Sequence, residues 1–170
     1  MFNWFKKENK FDTSLYWQKV FRSNKRMLFM GSEINSAVVN SLINQIRLLE
    51  AEDSNKKIYL CLNTPGGDAE AALILFSEMQ RAEVGIITVN VGLCAGCGIL
   101  ILSGGEKGNR IVIKHSRFCL TRLKRGPECD FSEEHLEAVQ EEYLNLLSIN
   151  TGLKKTILQE NNDREWYFNA

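Results

Sequence analysis

Apolar positions along this chain recur with two alternating periods. Val38, Val39, Leu42, Ile43, Ile46 and Leu49 fall three and four apart, which predicts a helix of about four turns from Ser36. Ala71, Ala72, Leu75, Phe76 and Met79 predict a second helix. Leu136, Val139, Tyr143, Leu146 and Leu147 predict a third and longer one, over about 132–150, ended by Gly152. Its N-cap is expected at Asp130, with Glu133 three residues on, because Ser132 has His135 at that place. Between the helices lie short runs of strand-forming residues at 27–30, 58–62, 85–91, 110–113 and 118–120, with a further helix at 97–103. Strands and helices in alternation predict one α/β domain built on a parallel sheet, over 27–170. Residues 1–26 read as a separate N-terminal arm. Trp4, Phe5, Phe11, Tyr16, Trp17 and Phe21 are too many aromatics for a solvated tail, so the arm is expected to pack on its own domain or on a neighbouring subunit.

Composition narrows the picture only a little. With 170 residues, 44% of them hydrophobic, the chain suits one domain with a substantial core. The 21 basic and 21 acidic residues cancel, so no global charge argues for nucleic acid or an anionic membrane. Five cysteines follow no disulfide spacing, and Cys61 and Cys119 sit in apolar runs, which points to a reducing compartment. The start lacks the apolar segment of a secretory signal, and no run approaches the roughly 18 apolar residues of a membrane span. His135, among glutamates, is expected to be solvated, as is the charge run around Arg122, Lys124 and Arg125.

Two turns carry the candidate chemistry. Asn63-Thr-Pro-Gly-Gly67 lies between a strand and a helix. Read alone it is a turn. Read functionally, its Gly66–Gly67 pair leaves N–H groups uncovered for an oxyanion or an extended peptide. The second turn, Gly92-Leu-Cys-Ala-Gly-Cys-Gly98, follows a strand and opens an apolar helix, the arrangement in which hydrolases expose a nucleophile. The residue at its tip is Gly96, which has nothing to attack with.

Taken in order, these segments resemble the proteolytic subunits of the ATP-dependent Clp protease family. Its pattern of Asn-Ser-Pro-Gly-Gly, Gly-x-Ala-Ala-Ser-Met-Gly, Gly-x-x-Gly-x-Arg and Ser-Arg-x-x-x-His is matched by residues 63–67, 92–98, 105–110 and 116–121. Leu48–Glu52, Asn150-Thr-Gly152 and Asp163-Arg-Glu-Trp-Tyr167 also look like the family. The resemblance implies a crotonase-like ββα spiral with an N-terminal arm and a projecting handle helix at about 132–150. It implies peptide or oxyanion donors at Gly66, Gly67 and Cys97, and a contact between rings at Arg164. It implies no cofactor and no metal. The partners it implies are active Clp subunits in a heptameric or tetradecameric ring and an AAA+ unfoldase, with neither nucleic acid nor membrane.

The departures from the pattern decide the functional expectation. The family's nucleophilic Ser falls on Gly96, its general base His on Thr121 and its orienting Asp on Glu165. A Ser–His–acid site needs all three roles, and two are empty. The expectation is a catalytically inactive subunit similar to the ClpR-type paralogues, placed in mixed rings beside active subunits. Cys94 and Cys97 flank the vacant position, so a relocated cysteine peptidase is one alternative, and Cys97 at a helix start would favour a thiolate. Their Cys-x-x-Cys spacing lacks a second pair for zinc. An acyl-CoA-binding crotonase relative, which needs only the backbone donors, is the other alternative. The segment between Thr121 and Glu165 is several residues shorter than the family leads one to expect, and the family's closing Tyr-Gly-Leu stretch has no counterpart before Ala170. Many Asn and Lys residues suggest an AT-rich genome, and with it a plastid stroma or a bacterial cytoplasm.

Overall fold

The computed structural model describes residues 6–7, 25–123, 132–162 and 164–169. The aromatic positions of the arm, Lys124, Arg125, Asp130 and Asp163 lie outside them. Within them run β1 (Lys6–Lys7), β2 (Met27–Met30), α1 (Ser36–Glu52), β3 (Ile58–Thr64), α2 (Ala69–Arg81), β4 (Ile86–Ala95) and α3 (Gly98–Ser103). Then follow β5 (Arg110–Val112), β6 (Arg117–Leu120), α4 (Glu133–Thr151), α5 (Lys155–Asn162) and β7 (Trp166–Asn169).

Helices α1, α2 and α4 start where a short polar side chain satisfies an orphan N–H. Asn35 Oδ1 accepts from Val38 N at 2.9 Å, and Asp68 Oδ1 from Ala71 N at 3.1 Å. For α4 the cap is Ser132, whose hydroxyl accepts from His135 N at 3.2 Å. The expectation of Asp130 is thus corrected: the hydroxyl at 132 captures the third N–H without help from a reciprocal Glu. Gly152 ends α4 at φ +73°, the left-handed conformation that glycine adopts at no steric cost.

The sheet runs β1-β5-β4-β3-β2, all parallel, with β6 beside the far half of β4 and β7 antiparallel to β6. That last pair departs from the purely parallel expectation. On the side away from β3, strand β4 serves two partners. Its Thr88–Asn90 pair with β5, and its Leu93–Ala95 with β6. The change occurs at Asn90, which is fully buried: Nδ2 donates to Arg117 O at 3.0 Å, and Oδ1 accepts from Gly92 N at 3.2 Å. A buried amide with both ends satisfied holds the place where the ladder splits.

Helices cover one face of the sheet. Val39, Leu42, Ile43 and Ile46 of α1 pack with Leu75, Phe76 and Met79 of α2, Ile99, Leu100, Ile101 and Leu102 of α3, and Tyr143 and Leu147 of α4 in one core. Cys61, Ile87, Val89 and Ile111 form a smaller cluster on the other face. Because β3 and β4 are covered on both sides, their sequences read as continuous apolar runs. The result is the α/β spiral expected from the sequence, with α4 as its long helix.

Candidate functional site

Three chain segments meet beyond the ends of β3, β4 and β6. At the first, β3 ends in Thr64, whose fully buried hydroxyl accepts from Gly66 N at 3.2 Å and so tightens the turn. Gly66 and Gly67 have φ of +97° and +144°. A Cβ on Gly67 would lie 2.3 Å from Ile34 O, and one on Gly66 2.9 Å from Ala95 O. The glycines are there because backbone passes on both sides. Ile34 N donates to Gly66 O at 2.8 Å and Asp68 N to Ile34 O at 2.9 Å, a parallel bridge centred on Gly67. One edge of the pair is therefore spent on the chain itself. Among the described residues the Gly67 N–H has no backbone partner.

The second segment is the elbow. Strand β4 continues to Ala95, four residues past the expected end, so the turn is confined to Gly96 and Cys97. Gly96 has φ +52°. Its N–H donates to Cys119 O of β6 at 2.9 Å, and its carbonyl accepts from Ile99 N at 3.1 Å and from the Tyr143 hydroxyl of α4 at 3.0 Å. This is the sharp strand-to-helix turn on which a hydrolase mounts its nucleophile. A Cβ built on Gly96 would meet nothing closer than 3.6 Å, and that nearest atom is Thr121 Oγ1. There is room for a side chain, it would face Thr121, and none is present.

The third segment carries positions 121 and 165. The antiparallel register sets Leu120 opposite Trp166. Carried one residue further, it sets Thr121 opposite Glu165. Gly96, Thr121 and Glu165, on which the resemblance places nucleophile, base and acid, thus lie at the same end of β4, β6 and β7, and as residue types none of the three is the Ser, His or Asp of that triad. A threonine hydroxyl takes no proton near neutral pH. Glu165 is exposed and accepts from the Tyr167 hydroxyl at 3.3 Å. Arg164, beside it, is exposed as well.

The cysteines are poorly placed to substitute. Cys97 is buried and its thiol donates to Gly67 O at 3.4 Å, tying the elbow to the glycine pair. Burial pushes that thiol up to about 12, and it drives Cys94, also fully buried, further in the same direction. The short helix behind Cys97 does not offset desolvation of this size. Cys97 is a protonated strut whose backbone N–H has no backbone partner among the described residues. Cys61 and Cys119 are buried, as expected of core residues. Among the described residues no group of three His, Cys, Asp or Glu side chains is arranged to hold a metal ion. A cavity of about 820 Å³, lined by Gly85, Gly105, Arg110 and Gly152, lies at the opposite ends of the strands and contains none of these residues.

Sequence reading missed the groups that hold the site in shape. Asn63 Oδ1 accepts from Leu93 N at 2.9 Å and locks β3 to β4 just before the elbow. Gln140 is buried on α4, and its Oε1 accepts from Leu123 N at 2.8 Å, fixing the strand exit after Thr121. A polar residue inside the apolar stripe of α4 was the available signal. His135, exposed as expected, nevertheless touches Glu70 Oε1 at 2.5 Å and so links the start of α4 to that of α2.

A Clp protease family profile matches residues 12–170 of this chain. The ATP-dependent Clp protease proteolytic subunit 3 of Synechococcus sp. (strain CC9605) is 32% identical over 152 residues, covering 86% of this chain and 76% of the relative. The proteolytic subunit 2 of Prochlorococcus marinus (strain NATL2A) is 31% identical over 152 residues, with the same coverage. The proteolytic subunit 1 of Prochlorococcus marinus (strain MIT 9312) is 35% identical over 148 residues, covering 84% and 76%. With a peptidase elbow, a Gly-Gly strand end and a facing strand pair in the expected order, the chain belongs to the Clp protease family, among its proteolytic subunits.

Proposed function

We propose that this chain is a catalytically silent proteolytic-core subunit, similar to the ClpR-type paralogues, that takes its place in a mixed ring beside active subunits. One observation carries the reading: Gly96 has both its N–H and its carbonyl hydrogen-bonded in the elbow, a Cβ there would sit in ordinary contact with Thr121, and no side chain is present. Losing a nucleophile or base alone costs about a million-fold in rate, and both are missing here. The N–H groups of Gly67 and Cys97, neither of them given to a backbone carbonyl among the described residues, remain able to hold a peptide carbonyl without cleaving it. Its partners in this reading are active subunits of the ring and a AAA+ unfoldase, with Arg164 near the contact between rings. The cyanobacterial relatives and the buried free thiols support a plastid stroma or a bacterial cytoplasm as its location.

The relocated-cysteine alternative is disfavoured by the buried, hydrogen-bonded Cys97 thiol, and the acyl-CoA alternative by the family match over nearly the whole chain. Co-purification of the tagged chain from its native source, followed by mass spectrometry of the intact assembly, tests the proposal. Rings containing this chain and at least one triad-bearing relative are expected. Recovery of the chain only as free monomer contradicts the reading.

A further inference from the structure

The elbow has a weakness that its own geometry exposes. Gly96 lacks a side chain, so the peptide unit between Gly96 and Cys97 can rotate at less steric cost than a serine there would allow. That unit carries both the Gly96 carbonyl and the Cys97 N–H, on opposite sides of a planar trans bond. Whatever fixes the carbonyl therefore fixes the direction of the N–H. Two donors reach the carbonyl. Ile99 N belongs to the turn itself and would move with it. The Tyr143 hydroxyl comes from α4, 47 residues away in sequence, at 3.0 Å. It is fully buried, and burial holds the phenol in its protonated, donating form. Rotation of the peptide unit would strand that hydroxyl in the core without an acceptor, a state that folded proteins avoid.

We infer that Tyr143 is a positioning residue: through Gly96 O it holds the Cys97 N–H in the orientation of an oxyanion donor, in place of the constraint that a side chain at position 96 would supply. Gln140 supports the assignment from an independent contact. It lies three residues before Tyr143, on the same face of α4, and fixes Leu123 N just beyond Thr121. One helix thus sets two walls of the site from adjacent turns. The inference deepens the peptide-holding part of the proposed function and does not depend on ring composition.

Tyr143→Phe keeps the ring and removes only the hydroxyl. The test compares the amide resonances of ¹⁵N-labelled full-length chain with those of Tyr143→Phe, and measures thermal midpoints for both. The Cys97 amide is expected to shift or broaden more than any other amide between 92 and 100, with Gly96 next. A lowered midpoint with the Cys97 amide unmoved would mean that the hydroxyl only stabilises the core, and would overturn the inference. Should Tyr143→Phe fail to fold, Gln140→Ala serves as the second arm. It loosens α4 against the other wall, and the same displacement at Cys97, smaller than at Leu123, is expected; no change at Cys97 overturns the inference. Neither result bears on whether the chain joins a mixed ring, so the two proposals fail separately.

Discussion

Residue 96 concentrates the argument of this structure at the scale of single side chains. Its φ of +52° is tolerated by glycine and strained for most other residues, yet a Cβ there would make only ordinary contacts. Gly96→Ser should therefore fold, at a cost of about 1 kcal/mol for the backbone conformation. On its own it should gain no reactivity toward a fluorophosphonate, because Thr121 cannot accept the proton. Adding Thr121→His supplies the base across a gap that the structure shows to be short, and slow labelling is expected to appear at residue 96. Slow, because Glu165 would orient the new imidazole from a longer side chain than Asp, and loss of proper orientation costs about 10⁴-fold in a triad. A double variant that folds and stays unlabelled would show that positions 96 and 121 do not face each other. The vacancy at Gly96 was legible in the sequence, since order and spacing of motifs located it. The Tyr143 and Asn63 contacts were not. Each joins residues 30 or more apart through one hydrogen bond, and no local period encodes such a pairing.

At the scale of elements, helices α1, α2 and α4 were legible because burial imposes a 3.6-residue period on one side of each. The strands were legible as apolar runs but their ends were not. Strand β4 extends through Gly92 to Ala95 because Asn63 and Asn90 supply side-chain hydrogen bonds across the place where glycine suggests a stop. Helix α5 and strand β7 went unread. Helix α5 is short, with few buried residues, and β7 is defined by its pairing with β6 rather than by its own pattern. The same elements carry a pH-dependent cost. Strand β3 and the elbow bury the thiols of Cys61 and Cys97, each pushed up to about 12 from an ordinary 9.0 by desolvation. Between these values the unfolded chain releases protons that the folded chain retains. Stability is therefore fully present below about pH 9 and is lost as pH rises toward 12, by about 1.4 kcal/mol per pH unit for each thiol. Urea midpoints at pH 8 and pH 10.5 should show this fall, and Cys97→Ala should reduce it. A midpoint independent of pH over that range would contradict the burial described for these thiols.

At the scale of the whole molecule, the proposed silent subunit keeps those family features that also build the fold and departs from the family at positions that would only perform chemistry. Gly66 and Gly67 are required by backbone passing within van der Waals range, and Tyr143 and Asn90 satisfy buried polar groups, so each is tied to folding as well as to the site. A nucleophile, base or acid side chain at positions 96, 121 and 165 would answer no such need. Gly96 uses only its backbone, Thr121 sits at the rim, and Glu165 is exposed. A scaffold that has parted from its chemistry in this way suits a subunit whose contribution is shape. The most direct measurement is fluorophosphonate labelling of the intact native assembly, with peptide mapping of every subunit. The expected result is probe on the serine of triad-bearing partners and none on any peptide of this chain. A phosphonylated residue in this chain, or peptide turnover by the isolated chain that Cys97→Ala abolishes, would contradict the account.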